Sequence, residues 1–273
     1  MPIWIAILLG AVQGFSEFLP ISSSGHLALL QNLLDFHQYG ADQIAFDIIL
    51  HLGTLVAVFV AFWGDIKNLI RDVLGLLLDK FRVKNRPGRR LVILLILATI
   101  PLAGGALLEK LIESSFESTL FIGCALIVTS VMLTVANKVG HGSKSEKDAP
   151  YSDGLKVGLL QLVAIFPGIS RSGATICGGL FCGFKRDFAV RFAFLTSIPA
   201  VIGGAVFKLP DMIAAGIAPE NILPYIVGFV TSAVCGYLAI WMVRTLMKKN
   251  SFQYFAIYCF AVGVISVILS LIG

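Results

Sequence analysis

Two stretches of this chain hold groups capable of chemistry inside otherwise apolar sequence. The first runs Gln13-Gly14-Phe15-Ser16-Glu17-Phe18-Leu19-Pro20-Ile21-Ser22-Ser23-Ser24-Gly25-His26. Gln13 and Glu17 are four apart and share a helix face. Pro20 ends that helix. Ser22, Ser23 and Ser24 follow, and their hydroxyls either cap the returning helix or face a ligand. Gly25 and His26 open the returning helix, and His26 beside an in-membrane carboxylate and serines reads as a general acid/base. The second stretch ends Pro167-Gly168-Ile169-Ser170-Arg171-Ser172-Gly173-Ala174-Thr175. Gly168, Ser170, Ser172, Gly173 and Thr175 surround Arg171 at a helix start. Amides, hydroxyls and a planar guanidinium fork in that setting suit phosphate oxygens. The expected ligand carries phosphate and an apolar part that reaches the site through a membrane.

The two stretches are copies. At an offset of 148 residues, positions 10–25 align with 158–173 without a gap. Gly10/Gly158, Gln13/Gln161, Phe18/Phe166, Ile21/Ile169, Ser22/Ser170, Ser24/Ser172 and Gly25/Gly173 are identical. Glu17 and His26 stand only in the first copy and Arg171 only in the second, so one site assembled from both is expected. Of the 21 Lys and Arg and 16 Asp and Glu, all but Glu17 and Arg171 fall in loops or at the edges of apolar blocks. A charge at bilayer depth costs about 2.5–3.5 kcal/mol on insertion scales, and such residues are paired and functional as a rule. A purely structural Glu17–Arg171 ion pair is the competing reading, and it leaves the surrounding hydroxyls unexplained.

The elements that must position these groups are membrane helices. The 273 residues are 57% hydrophobic and only 14% charged, with mean hydropathy +0.89, and the apolar residues come in blocks long enough to cross a bilayer. Blocks 48–63, 91–108, 119–137, 192–207, 222–243 and 252–272 read as transmembrane helices. Blocks 1–34 and 157–183 are interrupted by Pro, Gly and Ser, and irregular backbone at membrane depth survives only inside protein or beside a wet cavity. Each reads as a re-entrant helical hairpin. Segment 65–82 has helical apolar spacing with Lys67, Arg71, Asp72, Asp79 and Lys80 between, and reads as a helix lying on the membrane surface. The polar stretch His141 to Asp153 reads as a flexible connection. Thr99-Ile100-Pro101 and Ser197-Ile198-Pro199 read as Pro kinks. Cys124, Cys177, Cys182, Cys235 and Cys259 lie in apolar blocks without a CxxC pair and read as packing residues. The basic residues lie in loops, so the net charge of +5 does not point to a nucleic-acid partner.

Loop charges give an orientation. Segment 64–90 has eight Lys and Arg against three Asp, while 109–118 has one Lys against three Glu, and 35–47 has three Asp and no Lys or Arg. The positive-inside rule puts 64–90, 184–191 and 244–250 in the cytoplasm. The chain then reads as an all-α polytopic membrane protein. Six transmembrane helices plus two re-entrant hairpins form inverted-topology repeats: one integral membrane domain over 1–273, with halves 1–137 and 155–273 and a polar linker 138–154.

At these residues the sequence resembles a known family. Gln13-x-x-x-Glu17 with Pro20-Ile21-Ser22-Ser23-Ser24-Gly25-His26 resembles the (E/Q)xxxE plus PxSSxGH signature, and Pro167-Gly168-x-Ser170-Arg171-Ser172-Gly173-Ala174-Thr175 resembles PGxSRSxxT. Together they mark the bacterial undecaprenyl-diphosphatase family, also called bacitracin-resistance protein. The resemblance covers essentially the whole chain. Position 13 is Gln where many members have Glu, which bears on any first-carboxylate role there.

The resemblance implies hydrolysis of undecaprenyl diphosphate to the monophosphate and inorganic phosphate. That recycles the lipid carrier for peptidoglycan and lowers the diphosphate that bacitracin captures. It implies a site facing the extracytoplasmic side of the bacterial inner membrane and a divalent cation, Mg²⁺ or Ca²⁺. The expected partners are the lipid substrate, membrane lipid and a second copy of the chain in a homodimer. In this reading Arg171, with Ser170 and nearby amides, binds diphosphate. Glu17, with help from Gln13, holds the metal or orients the nucleophile. His26 is the general acid/base, and Ser23, or else Ser22 or Ser24, contacts phosphate or attacks it. A phospho-serine intermediate and direct attack by water both stay open. A transporter that flips undecaprenyl phosphate is the alternative of another class, because inverted repeats with midplane hairpins are a transporter plan.

Overall fold

The computed structural model describes residues 1–33, 42–80, 82–83, 86–139, 142–216, 218–246 and 252–272. Among these residues the chain forms twelve α-helices and no strand. In order they are α1 (Ile3–Phe18), α2 (Ser23–Leu33), α3 (Asp42–Ala61), α4 (Trp63–Leu78), α5 (Pro87–Thr99), α6 (Glu109–Glu117), α7 (Thr119–Val139), α8 (Tyr151–Val163), α9 (Arg171–Phe181), α10 (Arg186–Ala215), α11 (Ile222–Leu246) and α12 (Phe252–Ile272).

Local chemistry sets several boundaries. Leu19 at the end of α1 is extended and Pro20 follows it, so the helix cannot continue. Pro87 occupies the first turn of α5, where a missing N–H costs nothing. Ser170 caps α9, its side chain accepting from the Gly173 amide. The starts of α1 and α8, at 3 and 151, and of α2 and α9, at 23 and 171, repeat the sequence offset. Both interrupted blocks are therefore helix–turn–helix units of the same register.

Five helical stretches are long and apolar enough to cross a bilayer: Pro87–Glu117, Thr119–Val139, Arg186–Ala214, Pro219–Leu246 and Phe252–Ile272. A sixth is Ala45–Ala61 with Trp63–Leu78, a pair bent by 87°. The molecule is thus an all-helical polytopic membrane protein whose long helices cover the expected blocks. The bend at Phe62 turns the amphipathic α4 nearly perpendicular to α3.

Four expectations change. Block 91–108 is not one α-helix: after Thr99 it tightens to a 3₁₀-helix over Ile100–Leu108 with Pro101 in its first turn, whereas Pro199 is absorbed inside α10. The acidic segment 109–118, read as a loop, is largely helix α6, with Glu109 in its first turn, where a carboxylate favours the helix dipole. Segment 184–191 is also partly helical, because α10 starts at Arg186, well before its apolar block. The connection 142–153 is pinned rather than flexible. Lys144 N donates to Gly183 O at 3.0 Å and Lys185 N to Lys144 O at 2.9 Å. Lys144 pairs with the buried Asp153 at 2.9 Å, and Arg90 Nη2 donates to Ala149 O at 2.7 Å. Four polar anchors offset the entropy of ordering this short connection. Part of the acidic segment 35–47 lies outside the described residues.

The helices pack by exchange between the halves. α1 lies on α11, while its counterpart α8 lies on α5; α3 also packs on α11, and α10 on α5; α7 packs on α12. Duplicated glycines permit the first two contacts. A Cβ at Gly10 would come within 2.7 Å of Gly228 O, and one at Gly158 within 2.6 Å of Ala98 O. Small residues allow such close helix approach in membranes, where van der Waals packing takes over from the hydrophobic effect between helices. At the end of α4, the buried Arg89 of α5 donates to Asp79 at 2.6 Å. That hydrogen bond and the guanidinium charge hold the Asp79 carboxyl below the usual carboxylate range.

Candidate active site

The turns of the two hairpins meet. A Cβ on Gly25 would lie 2.8 Å from the Gly168 amide nitrogen, so the close approach needs glycine. Gly168 has φ +95, and a Cβ there would lie 2.6 Å from Ile122 O, so position and backbone both require glycine. The Gly168 N–H donates to Ser22 Oγ at 3.1 Å. In the other direction, Ser172 Oγ donates to the Leu19 carbonyl at 3.0 Å. Residues about 150 apart in sequence are thus stapled reciprocally.

The serines divide between structure and chemistry. Ser22 has φ 73, a conformation costing on the order of 1 kcal/mol for a non-glycine residue. Its hydroxyl is placed to accept the Gly25 amide at 3.2 Å as well as that of Gly168. Ser170, its counterpart, accepts the Gly173 amide at 3.0 Å. Its own N–H donates to Thr129 Oγ1 at 3.2 Å, and Thr129 donates to Gly168 O at 2.9 Å. Ser24 and Ser172 pair with Ser22 and Ser170 at 3.4 and 3.2 Å. Thr175 Oγ1 donates back to Arg171 O at 2.8 Å. Ser22, Ser170, Ser172, Gly173 and Thr175 are all buried, and their groups are used within the two turns. Ser23 differs: half-buried, it donates to Glu17 Oε2 at 2.6 Å.

Glu17 is the hub. It is 6% exposed. One oxygen, Oε1, accepts from Arg171 Nη2. The other, Oε2, accepts from Ser23 and from Gln13 Nε2 at 3.2 Å. The only in-membrane carboxylate and guanidinium found by sequence reasoning are therefore direct partners, across the seam between the copies.

His26 is not in that cluster. Its Nδ1 donates to the Ser22 carbonyl at 2.7 Å, and its Nε2 meets Tyr258 Oη at 2.9 Å. Because a carbonyl only accepts, neutral His26 carries its proton on Nδ1 and Nε2 accepts from the tyrosine. The rings are stacked, 5.5 Å apart and 9° from parallel. Tyr258, on α12, was not singled out from sequence. Nor was His51 of α3, whose Nε2 lies 3.8 Å from Glu17 Oε2. Its Nδ1 donates to Asp47 O at 2.8 Å. The sequence signal for His51 is a titratable ring inside apolar block 48–63, but a neutral imidazole carries no charge whose cost at membrane depth would single it out.

A divalent cation has a partial donor set here. Gln13 Oε1 is buried with no hydrogen-bond partner, and it sits on the side chain that bonds the Glu17 carboxylate. Among the described residues no three His, Cys, Asp or Glu side chains are grouped to hold a metal. One carboxylate and one amide oxygen fit a hard cation that takes its other ligands from phosphate and water.

This arrangement provides an acid–base pair with a hydroxyl, a guanidinium at a helix start and an oxygen-donor position. A sequence model of the family described as bacitracin resistance protein BacA matches residues 6–265. The chain is 44% identical over 276 residues to an undecaprenyl-diphosphatase of Methanosphaera stadtmanae, covering 98% of each chain. It is 42% identical over 273 residues to one of Alkaliphilus metalliredigens, again covering 98% of each. It is 38% identical over 271 residues to one of Halothermothrix orenii, covering 99% of each.

Proposed function

The chain belongs to the bacitracin resistance protein BacA family, and from that premise we propose that it hydrolyses undecaprenyl diphosphate to undecaprenyl phosphate and inorganic phosphate at the seam between its hairpins. The observation that carries the site assignment is the Ser23–Glu17–Arg171 chain. It joins a hydroxyl, a buried carboxylate and a guanidinium drawn from both copies.

Ser23 Oγ attacks the terminal phosphorus and its proton passes to Glu17. The bond from phosphorus to the bridging oxygen breaks, and undecaprenyl phosphate leaves with the electron pair. Water then attacks the phosphorus of the phospho-serine and gives up one proton, the bond to Ser23 Oγ breaks, phosphate leaves, and Glu17 returns its proton to restore the serine hydroxyl. Arg171 is held by Glu17 before reaction. As Glu17 takes the proton its charge is lost, and the guanidinium donors are freed for phosphate oxygens where negative charge builds. Of the three consecutive serines, Ser23 alone has its hydroxyl on a base, which favours it over Ser22 and Ser24. His26 is tied to the same turn through Ser22 O and accepts a proton from water through Nε2 once the tyrosine yields its place. A divalent cation, Mg²⁺ or Ca²⁺, held by Glu17 and the Gln13 carbonyl oxygen, would supply neutralisation of diphosphate charge.

In this reading the five long helical stretches and Ala45–Ala61 span the membrane of a bacterial cell, and α4 lies along its surface. The hairpins enter from opposite faces, basic segment 64–90 is cytoplasmic, and the site opens outward. The repeated helix starts, the exchanged packing and the loop charges support it. Consuming undecaprenyl diphosphate on that side withholds it from bacitracin. Flipping of undecaprenyl phosphate would need no serine on a buried carboxylate.

The test is phosphate release from undecaprenyl diphosphate by the purified protein in detergent, with acid-quenched samples searched for phosphate on the Ser23 peptide. Ser23→Ala should lower turnover by at least about a hundredfold, the lower range for losing an activated group. Substantial turnover without Ser23 would point to direct attack by water.

A further inference from the structure

A cavity lies well away from the hairpin seam. It has a volume of about 530 Å³ and is lined where the end of α3, the start of α10 and the end of α11 converge. Ala61, on its wall, is ten residues beyond His51 along α3, roughly 15 Å at the rise of a helix. Its charged lining is Asp65, Asp187, Arg191 and Arg244. Arg191 is already neutralised, donating to Asp65 at 2.7 Å and lying 3.6 Å from Glu146. Arg244 has no carboxylate partner among the described residues; its guanidinium lies 5.3 Å over the buried Phe62 ring. Asp187 has no cationic partner among the described residues either. One cation and one anion thus face the same space uncompensated.

The rest of the lining is apolar or aromatic, including Val190, Ile240 and Trp241. Trp241 is 63% exposed, and with Val230, Val234 and Leu238 it forms an exposed stripe at helical spacing along α11. Tryptophan marks the headgroup level of a bilayer. A ligand that fits carries a phosphate and an ammonium on one headgroup, and apolar chains to lie along α11.

We propose that this cavity binds the headgroup of a zwitterionic aminophospholipid, phosphate on Arg244 and ammonium on Asp187, with the acyl chains against α11. A phosphate monoester dianion suits the lining less, because the net charge of the unpaired groups is zero. The proposal relies on the membrane placement above but not on the reaction, so diphosphatase activity distinguishes its failure from failure of that reading.

The experiment uses delipidated full-length protein in detergent. It is titrated with phosphatidylethanolamine, phosphatidylglycerol and undecaprenyl phosphate, and with soluble phosphoethanolamine and inorganic phosphate, and bound lipid is read by native mass spectrometry. Phosphatidylethanolamine should bind best, and phosphoethanolamine should compete where phosphate does not. Arg244→Ala and Asp187→Asn should each weaken it about fivefold, in keeping with a partly exposed charge pair, and leave phosphate release within about twofold. For unaltered protein, successive N-methylation of the ethanolamine should weaken binding stepwise, so the idea stands or falls even if a variant does not fold. Equal or tighter binding of phosphatidylglycerol or undecaprenyl phosphate, competition by phosphate alone, or a flat methylation series overturns it.

Discussion

Glu17 and Arg171, 154 residues apart, are hydrogen-bonded through Oε1 and Nη2. The contact joins the end of α1 to the first residue of α9, so each helix–turn–helix unit supplies the charge that compensates the other's inside the packed helices. Removing one partner of such a pair leaves the other uncompensated, which costs far more than the pair itself contributes.

Arg171→Lys keeps the charge but replaces the planar fork with a point donor. Activity should fall at least about tenfold, in keeping with about 1.5–3 kcal/mol for a hydrogen bond to a charged group. Diphosphatase assays in detergent, with thermal unfolding in parallel, separate lost chemistry from lost folding. Near-normal turnover would remove the phosphate-fork role.

Gln13 and Glu17 share one face of α1, but only Glu17 accepts from Ser23 and Arg171. Gln13→Glu should therefore keep activity and change its dependence on Mg²⁺ and Ca²⁺, because a charged oxygen replaces an unpaired carbonyl. Glu17→Gln should nearly abolish turnover, with a loss of at least about a hundredfold. Cation titrations of both variants, read by phosphate release and by binding of the cation alone, check this. Equal damage from both would mean that the two positions share one role.

Tyr258 reaches the site only through His26. Tyr258→Phe keeps the stacked ring and removes the donor to Nε2. The acid limb of the rate profile should shift by less than about one pH unit, in keeping with roughly 1 kcal/mol for a positioning hydrogen bond, while substrate affinity stays within about twofold because Tyr258 touches His26 rather than substrate. His51→Gln, by contrast, removes a ring beside Glu17 and should lower kcat by a few-fold without moving that profile in the same way. Identical profiles for the unaltered protein and Tyr258→Phe would remove the tyrosine's role.

The proposed orientation is checked by single cysteines in a background lacking the native five. Ser115 is buried and bonded to Ile112 O, so the exposed Ser114 is the better reporter for α6, with Arg71 and Lys147 for the basic side. With a membrane-impermeant maleimide on whole cells, Ser114→Cys should react, and the other two should stay silent until the cells are opened. Labelling of Lys147→Cys from outside would rule out the inverted arrangement.

Much of this protein is legible in one dimension. Hydropathy marks the long helices because a single apolar segment in a bilayer can pair its own backbone groups only as a helix. The 148-residue repeat announces paired hairpins down to their helix starts. The cost of charge at membrane depth singles out Glu17 and Arg171 from the sequence alone. Tertiary structure decided what spacing along the chain cannot carry. Ser22, Ser23 and Ser24 are equivalent as letters. The left-handed turn at Ser22 directs its hydroxyl to two amides and leaves Ser23 to the carboxylate. His26 looked like a partner of Glu17 by proximity in sequence, yet the start of α2 turns it toward Tyr258. His51 reaches Glu17 from a helix that sequence gave no reason to place there. Hydrophobicity and propensity act along a segment and are summed over neighbours. Hydrogen-bond direction depends on which helices approach and at what angle, and that is settled only when α1, α3, α9 and α12 pack together.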